Sequence, residues 1–145
     1  MKIVEVFAQG GLVVGNEWLE RAESVHRQLR PHLPDDYVAK MARVLKDARM
    51  ALAVKGDTVL GLAVYRWHEN TFDGLKFYVD DLVTDETHRS TGVGHVLIAH
   101  LEAVAKELGA SGLKLDSGTQ LTQAHKFYFR EGFVITSFNF KKSFT

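Results

Sequence analysis

Short apolar runs bounded by turn residues predict six β-strands along the chain. They cover residues 3–7, 50–54, 59–67, 75–83, 113–115 and 133–140. Lys55, Gly56 and Asp57 lie between the second and third runs, which predicts a β-hairpin. A loop at residues 69–74 leads into the fourth strand.

Four segments have apolar residues at helical spacing and are predicted to be helices. Asn16 can cap the first, at residues 17–29, which ends before Pro31. Pro34 opens the second, which runs to about residue 46. The others cover residues 94–108, ended by Gly109, and residues 121–130, stopped by Gly132. The element order is βααβββαβαβ, without linker or repeat. It predicts one α/β domain over residues 1–145, with three layers and a mixed, mostly antiparallel sheet with four helices.

Composition narrows the classes of function. The 145 residues fit one domain, and lysine plus arginine (18) balances aspartate plus glutamate (18), which disfavours a dedicated nucleic-acid-binding protein. The absence of cysteine excludes disulfides, thiolate metal sites and a cysteine nucleophile. Seven histidines are scattered without a ligand spacing, so no metal site is expected. No signal peptide or membrane span is apparent, and a cytoplasmic location is expected.

The most informative segment, called here the glycine turn, lies between the strand at 75–83 and the helix at 94–108. It consists of Arg89, Ser90, Thr91, Gly92, Val93 and Gly94. Two glycines at a helix start after a strand let backbone N–H groups face an anion. Neither the third glycine of a Rossmann motif nor the Gly-Lys-Ser/Thr of a P-loop is present. The segment predicts a binding site for a phosphorylated ligand.

A second motif lies on the last predicted helix, where Ala124, Phe127, Tyr128, Gly132 and Phe133 form the pattern Ala-x-x-Phe-Tyr-x-x-x-Gly-Phe. Together with the Asp-Leu-Val-Thr strand end and Arg-x-x-Gly-x-Gly, it resembles the GCN5-related N-acetyltransferase (GNAT) superfamily. The resemblance covers roughly residues 50–140. It implies the GNAT-like acyl-CoA N-acyltransferase fold and acetyl-CoA as a co-substrate.

The resemblance also assigns roles to particular residues. The glycine turn, Arg89 to Gly94, matches the segment that wraps the pyrophosphate of acetyl-CoA. The adjacent His95 is a candidate phosphate contact because it lies near the helix start, and a solvated histidine is the alternative. Leu82, Val83 and Thr84 match the strand end whose backbone pairs with the pantetheine arm and the thioester carbonyl. Tyr128 matches the tyrosine that protonates the departing thiolate; an ordinary half-buried tyrosine is the alternative. A positioned proton donor of this kind is typically worth ~10²–10⁴ in rate.

The acceptor side offers only candidates. Asp80 and Asp81 precede the acetyl-binding strand end, and strict alternation would place them on opposite faces. Asp80, on the face of Tyr78, is favoured as general base or amine anchor, with a salt-bridged surface aspartate as the alternative. Asp116 is a weaker candidate.

Two features depart from the family pattern. Leu121 occupies the position where many members have an asparagine that bonds the pantetheine arm, and Ser117 or Thr119 are possible replacements. The chain has only 12 residues after Phe133, too few for the usual final hairpin. We therefore expect a homodimer in which residues 138–144 pack or pair across chains.

The sequence thus predicts an acetyl-CoA-dependent N-acetyltransferase that moves an acetyl group to a primary amine by direct attack in a ternary complex. The acceptor is a small-molecule or peptide amine, and neither a nucleic acid nor a membrane is an expected partner. The alternative is a non-catalytic acyl-CoA-binding regulatory module, which would bind the coenzyme without transferring the acetyl group.

Overall fold

A computed structural model describes every residue from 1 to 145 and consists of strands, helices and one short 3₁₀ helix, Glu86–His88. The strands are β1 (Lys2–Gln9), β2 (Leu12–Val14), β3 (Arg49–Lys55), β4 (Thr58–Asn70), β5 (Gly74–Thr84) and β6 (Leu113–Leu115). The helices are α1 (Glu17–Leu29), α2 (Tyr37–Val44), α3 (Val93–Leu108) and α4 (Thr122–Arg130). The chain divides into two compact units, Met1–Lys114 and Leu115–Thr145.

The strands form one six-stranded sheet in the order β2-β1-β3-β4-β5-β6. Each pair from β2 to β5 is antiparallel, and the predicted hairpin joins β3 to β4 with Lys55 opposite Thr58. Helix α3 connects β5 to its neighbour β6. The α/β class with a mixed, mostly antiparallel sheet and four helices is therefore confirmed.

Apolar burial fixes which helices cover which face of the sheet in the first unit. Helices α1 and α2 bury one face each in a core shared with strands β1, β3 and β4. Its fully buried members include Leu19, Met41, Val6, Leu52, Leu62 and Val64. Gly61, next to Leu62 on β4, points to the opposite face, where Val93 and Leu97 of α3 lie. Because side chains alternate along β4, helices α1 and α2 pack on one face of the sheet and helix α3 packs on the other.

The structure contains a hairpin that the sequence pattern did not predict. Gly10 and Gly11 have positive φ angles of 60° and 81°, which glycine adopts without steric cost. They turn the chain so that β2 pairs with the end of β1, with Phe7 opposite Val14. At three residues, β2 is too short for an alternation pattern to be recognised.

The second helix begins later than predicted. Asp36 is the N-cap of α2, and its Oδ1 accepts a hydrogen bond from the backbone N–H of Ala39 at 3.0 Å. Pro34 therefore lies outside the helix. An aspartate at this position satisfies a backbone donor that the helix itself leaves unpaired.

The predicted strand at residues 133–140 is wrong. These residues form no strand, and the side chains of Phe138 and Phe140 are 81% and 92% exposed. A strand needs a neighbouring sheet edge to pair its N–H and C=O groups, and β propensity alone does not supply one.

None of the four helices combines the length and the apolar character that a bilayer span requires. The cytoplasmic location and the single domain over residues 1–145 stay predictions.

Candidate active site

The glycine turn connects the 3₁₀ helix to α3. Gly92 is the N-cap of α3 with a φ of 89°, and Ser90 also has a positive φ, 63°. The first helical hydrogen bond at this end runs from the N–H of Val96 to the carbonyl of Gly92 at 3.0 Å. The N–H groups of the preceding first turn have no acceptor within the helix, and Gly92 as the N-cap has no side chain that could cap them. This geometry suits an anion, since the helix dipole adds positive potential there.

The segment before the glycine turn is held in place by α1. The Asp85 side chain caps the 3₁₀ helix, accepting from the N–H of Thr87. Gln28 of α1 donates from Nε2 to Asp85 Oδ1 at 3.0 Å and accepts at Oε1 from the N–H of Glu86 at 2.9 Å. The hydrogen bond from Gln28 is the main reason why the pKa of Asp85 is lowered. Gln28 is 57 residues from Asp85, so no local pattern indicates this contact.

The strand end formed by Leu82, Val83 and Thr84 pairs with Ala63, Leu62 and Gly61 of β4. Leu82, Val83 and Thr84 are all partly buried. A Cβ at Gly61 would lie 2.7 Å from Cγ1 of Val93 and 2.9 Å from the carbonyl oxygen of Val83. Any side chain there would displace either the start of α3 or the strand end. The glycine thus sets the spacing between the two predicted coenzyme-binding segments.

A β-bulge changes the predicted placement of the two acidic residues on β5. Val64 pairs with Asp81 while Tyr65 pairs with Val79, so Asp80 is the extra residue. Asp80 Oδ2 pairs with Arg66, at 2.8 Å from Nε and 2.6 Å from Nη2. Arg66 is two residues from the core residue Val64, hence on the α1 side. Both aspartates therefore face the same side, and strict alternation fails here.

Asp81 lies at the centre of a hydrogen-bonded cluster with α1. His26 Nε2 is 2.7 Å from Asp81 Oδ2, and Arg30 contacts Asp81 Oδ1 from Nη2 at 2.6 Å and from Nε at 2.9 Å. Burial alone would raise the pKa of Asp81, but the hydrogen bonds from His26 and Arg30 outweigh it and lower that pKa. Asp81 is therefore ionised and binds His26 of α1 and the C-cap residue Arg30 to strand β5.

The cluster continues to Tyr37 of α2. Its hydroxyl is 2.7 Å from Nδ1 of His26, and both side chains are almost fully buried. An ionised Asp81 only accepts, so His26 carries a proton on Nε2 and its Nδ1 can accept from the phenol of Tyr37. Burial is the main cause that raises the pKa of Tyr37, followed by the charge of Glu23. The phenol therefore stays protonated.

The second unit contains Tyr128, on α4. Its ring contacts those of Phe127 and Phe133 edge-on, with centroid distances of 5.5 and 5.6 Å. Burial raises the pKa of Tyr128, so its phenol is protonated at neutral pH. A protonated phenol is a competent proton donor to a thiolate.

Ser117 and Leu121 precede Tyr128 in the same unit. Leu121 is the N-cap of α4 and provides no side-chain hydrogen bond. The hydroxyl oxygen of Ser117 is buried and has no hydrogen-bond partner. Buried polar groups are nearly always satisfied, so an orphaned hydroxyl points to a missing ligand or water. Asp116 accepts from Asn139 Nδ2 at 2.8 Å.

No group of three or more histidine, aspartate or glutamate side chains is arranged to hold a metal ion. His26 and Arg30 are the residues that sequence reasoning missed. They meet Asp81 across 55 and 51 residues, and no periodicity or motif encodes such a separation.

Residues 16–133 match the model of the acetyltransferase (GNAT) family. An uncharacterized N-acetyltransferase of Bacillus subtilis (strain 168), YhdJ, is 31% identical over 130 residues, which is 87% of this chain and 91% of that protein.

Two solved structures have a similar fold. The aminoglycoside N-acetyltransferase AAC(6')-Iy in complex with CoA superposes with a TM-score of 0.82 at 19% identity, covering 99% of this chain and 95% of that one. The ribosomal-protein-alanine N-acetyltransferase from Brucella melitensis biovar Abortus 2308 has a TM-score of 0.80 at 16% identity, covering 99% of both chains. At these identities the similarity establishes the fold alone.

Proposed function

The chain belongs to the GNAT acetyltransferase family and is an N-acetyltransferase, and on this basis we propose that it transfers the acetyl group of acetyl-CoA to a primary amine. The observation that carries the proposal is the glycine turn. Residues 89–92 are exposed and lead from the 3₁₀ helix that follows β5 into a helix start whose first-turn N–H groups have no acceptor within the helix.

The donor is proposed to lie along β5 and the start of α3. Arg89, which is exposed, and the N–H groups from Ser90 to His95 bind the pyrophosphate. The backbone of residues 82–84 pairs with the pantetheine arm and stabilises the oxyanion that forms at the thioester carbonyl. Ser117, whose hydroxyl lacks a partner, replaces the contact of the asparagine that Leu121 displaces.

The reaction is proposed to be a direct transfer within the ternary complex. The amine nitrogen attacks the carbonyl carbon, the C–S bond breaks, and the phenol of Tyr128 gives its proton to the leaving thiolate. Asp80 binds the amine or accepts the proton that it loses. Both contacts from Arg66 reach Oδ2 of Asp80, so Oδ1 is the oxygen proposed to face the amine.

Calorimetric titration with acetyl-CoA tests the donor assignment. We expect saturable binding that weakens at least tenfold in Arg89→Gln, because a charge-assisted contact to a phosphate is typically worth about 1.5–3 kcal/mol. Arg43→Gln changes another exposed arginine, on α2, and is the matched control; it should bind acetyl-CoA as the wild type does. Wild-type protein that fails to bind acetyl-CoA would refute the proposal.

A non-catalytic acyl-CoA-binding regulatory module is the second candidate, favoured by Leu121, which offers no polar group where the pantetheine arm is expected. A thiol-release assay on the protein used for the acetyl-CoA titration distinguishes the two functions. Release of free thiol from acetyl-CoA in the presence of an amine panel supports the enzyme, whereas tight binding without transfer supports the module.

A homodimer is proposed from the C-terminal segment, residues 134–145. Its large apolar side chains are exposed, at positions Val134, Ile135, Phe138, Phe140 and Phe144. Exposed apolar patches of this kind mark interaction surfaces. The occupant proposed here is a second copy of the chain, which would bury the same segment in return.

Light scattering coupled to size exclusion checks this proposal. The expected mass is twice the 16.3 kDa of one chain. The double variant Phe138→Ser/Phe140→Ser should shift the mass to that of a monomer, because it removes most of the exposed aromatic area of the segment. Phe72→Ser, at an exposed phenylalanine in a distant loop, should leave the dimer intact. A wild-type monomer at micromolar concentration contradicts the dimer.

A further inference from the structure

The face of the sheet that carries Asp80 also carries a cation that the proposed reaction does not use. Tyr78 is paired with Arg66 and Lys76 with His68, so each side chain shares a face of the sheet with its partner. Arg66 lies on the α1 side of the sheet and forms an ion pair with Asp80. Lys76, Tyr78, Asp80 and Arg66 therefore lie on one face, and we call the surface that they form the β4–β5 patch.

Lys76 is a partly buried cation of this patch. Its Nζ lies 4.8 Å from the ring centroid of Tyr78, a contact that orients the ammonium while other N–H groups stay available. The pKa of Asp73 is lowered chiefly by a hydrogen bond from Lys114, at 2.6 Å, and only slightly by the charge of Lys76. No carboxylate lies within ion-pair distance of Lys76, which is thus an oriented cation without a counter-ion.

Two guanidinium groups surround Asp80. Arg66 contacts Oδ2 from Nε and Nη2 at 2.8 and 2.6 Å, and Arg30 donates from Nη2 to the backbone carbonyl of Asp80 at 3.1 Å. Asp80 balances the charge of Arg66, and Asp81 balances that of Arg30. The charge of Lys76 is left over. An acceptor whose only charge is an ammonium is repelled by this surface, whereas an acidic group on the acceptor is attracted to it.

The distance between Lys76 and Asp80 sets the length of a molecule that can reach both. They are four residues apart on β5, and an extended strand covers about 13 Å over four residues. The bulge at Asp80 shortens this separation, and Lys76 leans over Tyr78, which lies between the two. The pair therefore suits a molecule whose amine and acidic group are several bonds apart.

We infer that the β4–β5 patch binds the acceptor at two points, its amine at Asp80 and an acidic group at Lys76, so that the acceptor is an amine that carries a carboxylate or a phosphate several bonds from its nitrogen. The inference rests on the proposed function, because it takes Asp80 as the place of the amine. An ammonium acts on either anion as a point charge, so the acceptors used in the test must distinguish carboxylate from phosphate.

Matched acceptors in a thiol-release assay test the inference. In the wild type, 6-aminohexanoate should have a KM at least about fivefold lower than hexylamine, or 5-aminopentyl phosphate than 5-aminopentanol, at the upper scale of one partly exposed charge pair. The pair that differs identifies the anion. The kcat values within that pair should be similar, because the contact with Lys76 is the same in the ground state and the transition state. The shorter 3-aminopropanoate and propylamine should differ less, since 3-aminopropanoate cannot reach both side chains.

Changing the charge of residue 76 tests whether Lys76 is the cause. Lys76→Gln should abolish the KM difference, and Lys76→Glu should reverse it, so that 1,6-diaminohexane has a lower KM than 6-aminohexanoate. Lys55→Gln, the matched control, removes the same charge from the exposed turn at the opposite end of β4 and should keep the difference. Calorimetric titration should give the same acetyl-CoA affinity for all three variants, which shows that they are folded.

The outcomes separate the inference from the function on which it rests. If amines are acetylated with equal KM regardless of an acidic group, or if the preference survives in Lys76→Gln, the inference is wrong and the proposed function stands. A wild-type preference for the diamine would also overturn it. If no amine is acetylated although acetyl-CoA binds, the proposed function fails, and the acceptor assignment fails with it.

Discussion

Replacing Tyr128 by phenylalanine should lower kcat about 100-fold or more, at the scale typical for loss of a positioned proton donor. The substitution removes only the hydroxyl, and the ring can keep its contacts with Phe127 and Phe133. Affinity for acetyl-CoA should therefore change little, within about twofold, since the lost interaction arises in the transition state. Initial rates of thiol release and a calorimetric titration measure the two quantities.

The pH profile distinguishes proton donation from a packing role. Burial raises the pKa of Tyr128 above the ordinary tyrosine value of about 10, and the donor must be protonated to act. Wild-type kcat should therefore hold at neutral and mildly alkaline pH and fall only as the pH rises through that raised pKa. In Tyr128→Phe this alkaline limb should be absent.

Tyr65→Phe is the matched control for the Tyr128 variant. It also removes one buried hydroxyl, which donates to both carboxylate oxygens of Glu5 at 2.8 and 2.9 Å. Its effect should fall on the melting temperature rather than on kcat. If Tyr128→Phe retains full turnover, Tyr128 has no part in proton transfer.

Replacing Asp81 by alanine should destabilise the protein by about 3 kcal/mol, the low end of the range for removing one partner of a buried ion pair. The variant leaves the buried His26 without its acceptor and removes the carboxylate that Arg30 binds through two nitrogens. Arg30 is half exposed and can be solvated, which limits the loss. Urea denaturation at neutral pH gives the free energy of unfolding.

Asp80→Ala is the control for Asp81→Ala, because it also removes an aspartate carboxylate from β5. Its ion pair with Arg66 is partly exposed on both sides, so its loss should cost less than about 1 kcal/mol. Equal destabilisation by the two variants would contradict the central role assigned to Asp81.

The stabilisation from Asp81 should also depend on pH. Its pKa is lower in the folded protein than in the unfolded chain, where it is about 3.9. The contribution is therefore fully present above that unfolded value and is lost as the pH falls through the folded pKa. The gap in unfolding free energy between the wild type and Asp81→Ala should narrow in that acidic window.

Periodicity and turn residues were enough for most of the fold. The hairpin of β3 and β4 and the helices α1 and α3 appear close to where the apolar spacing places them, because these signals lie within a few residues of each other. Short β2 was missed, and the strand predicted at residues 133–140 does not form. Both errors concern hydrogen bonding between strands, which requires a neighbouring strand that comes from another part of the sequence.

The two sides of the candidate site differ in how far the sequence predicts them. The glycine turn is one contiguous segment, and its backbone shape follows from Gly92 at positive φ and the helix start that comes next. The acceptor side depends on a bulge that puts Asp80 and Asp81 on the same face of the sheet. Bulges have no dependable sequence pattern, so alternation gave the wrong faces.

By itself, the sequence determined the family, the α/β class and the position of the glycine turn, since each is encoded by residues close together in the chain. Only the tertiary structure decided that His26 and Arg30 bind Asp81 and that Arg66 pairs with Asp80. These contacts join side chains from separate helices and strands. Their partners are chosen by packing and by the need to satisfy buried charge, which act through space rather than along the chain.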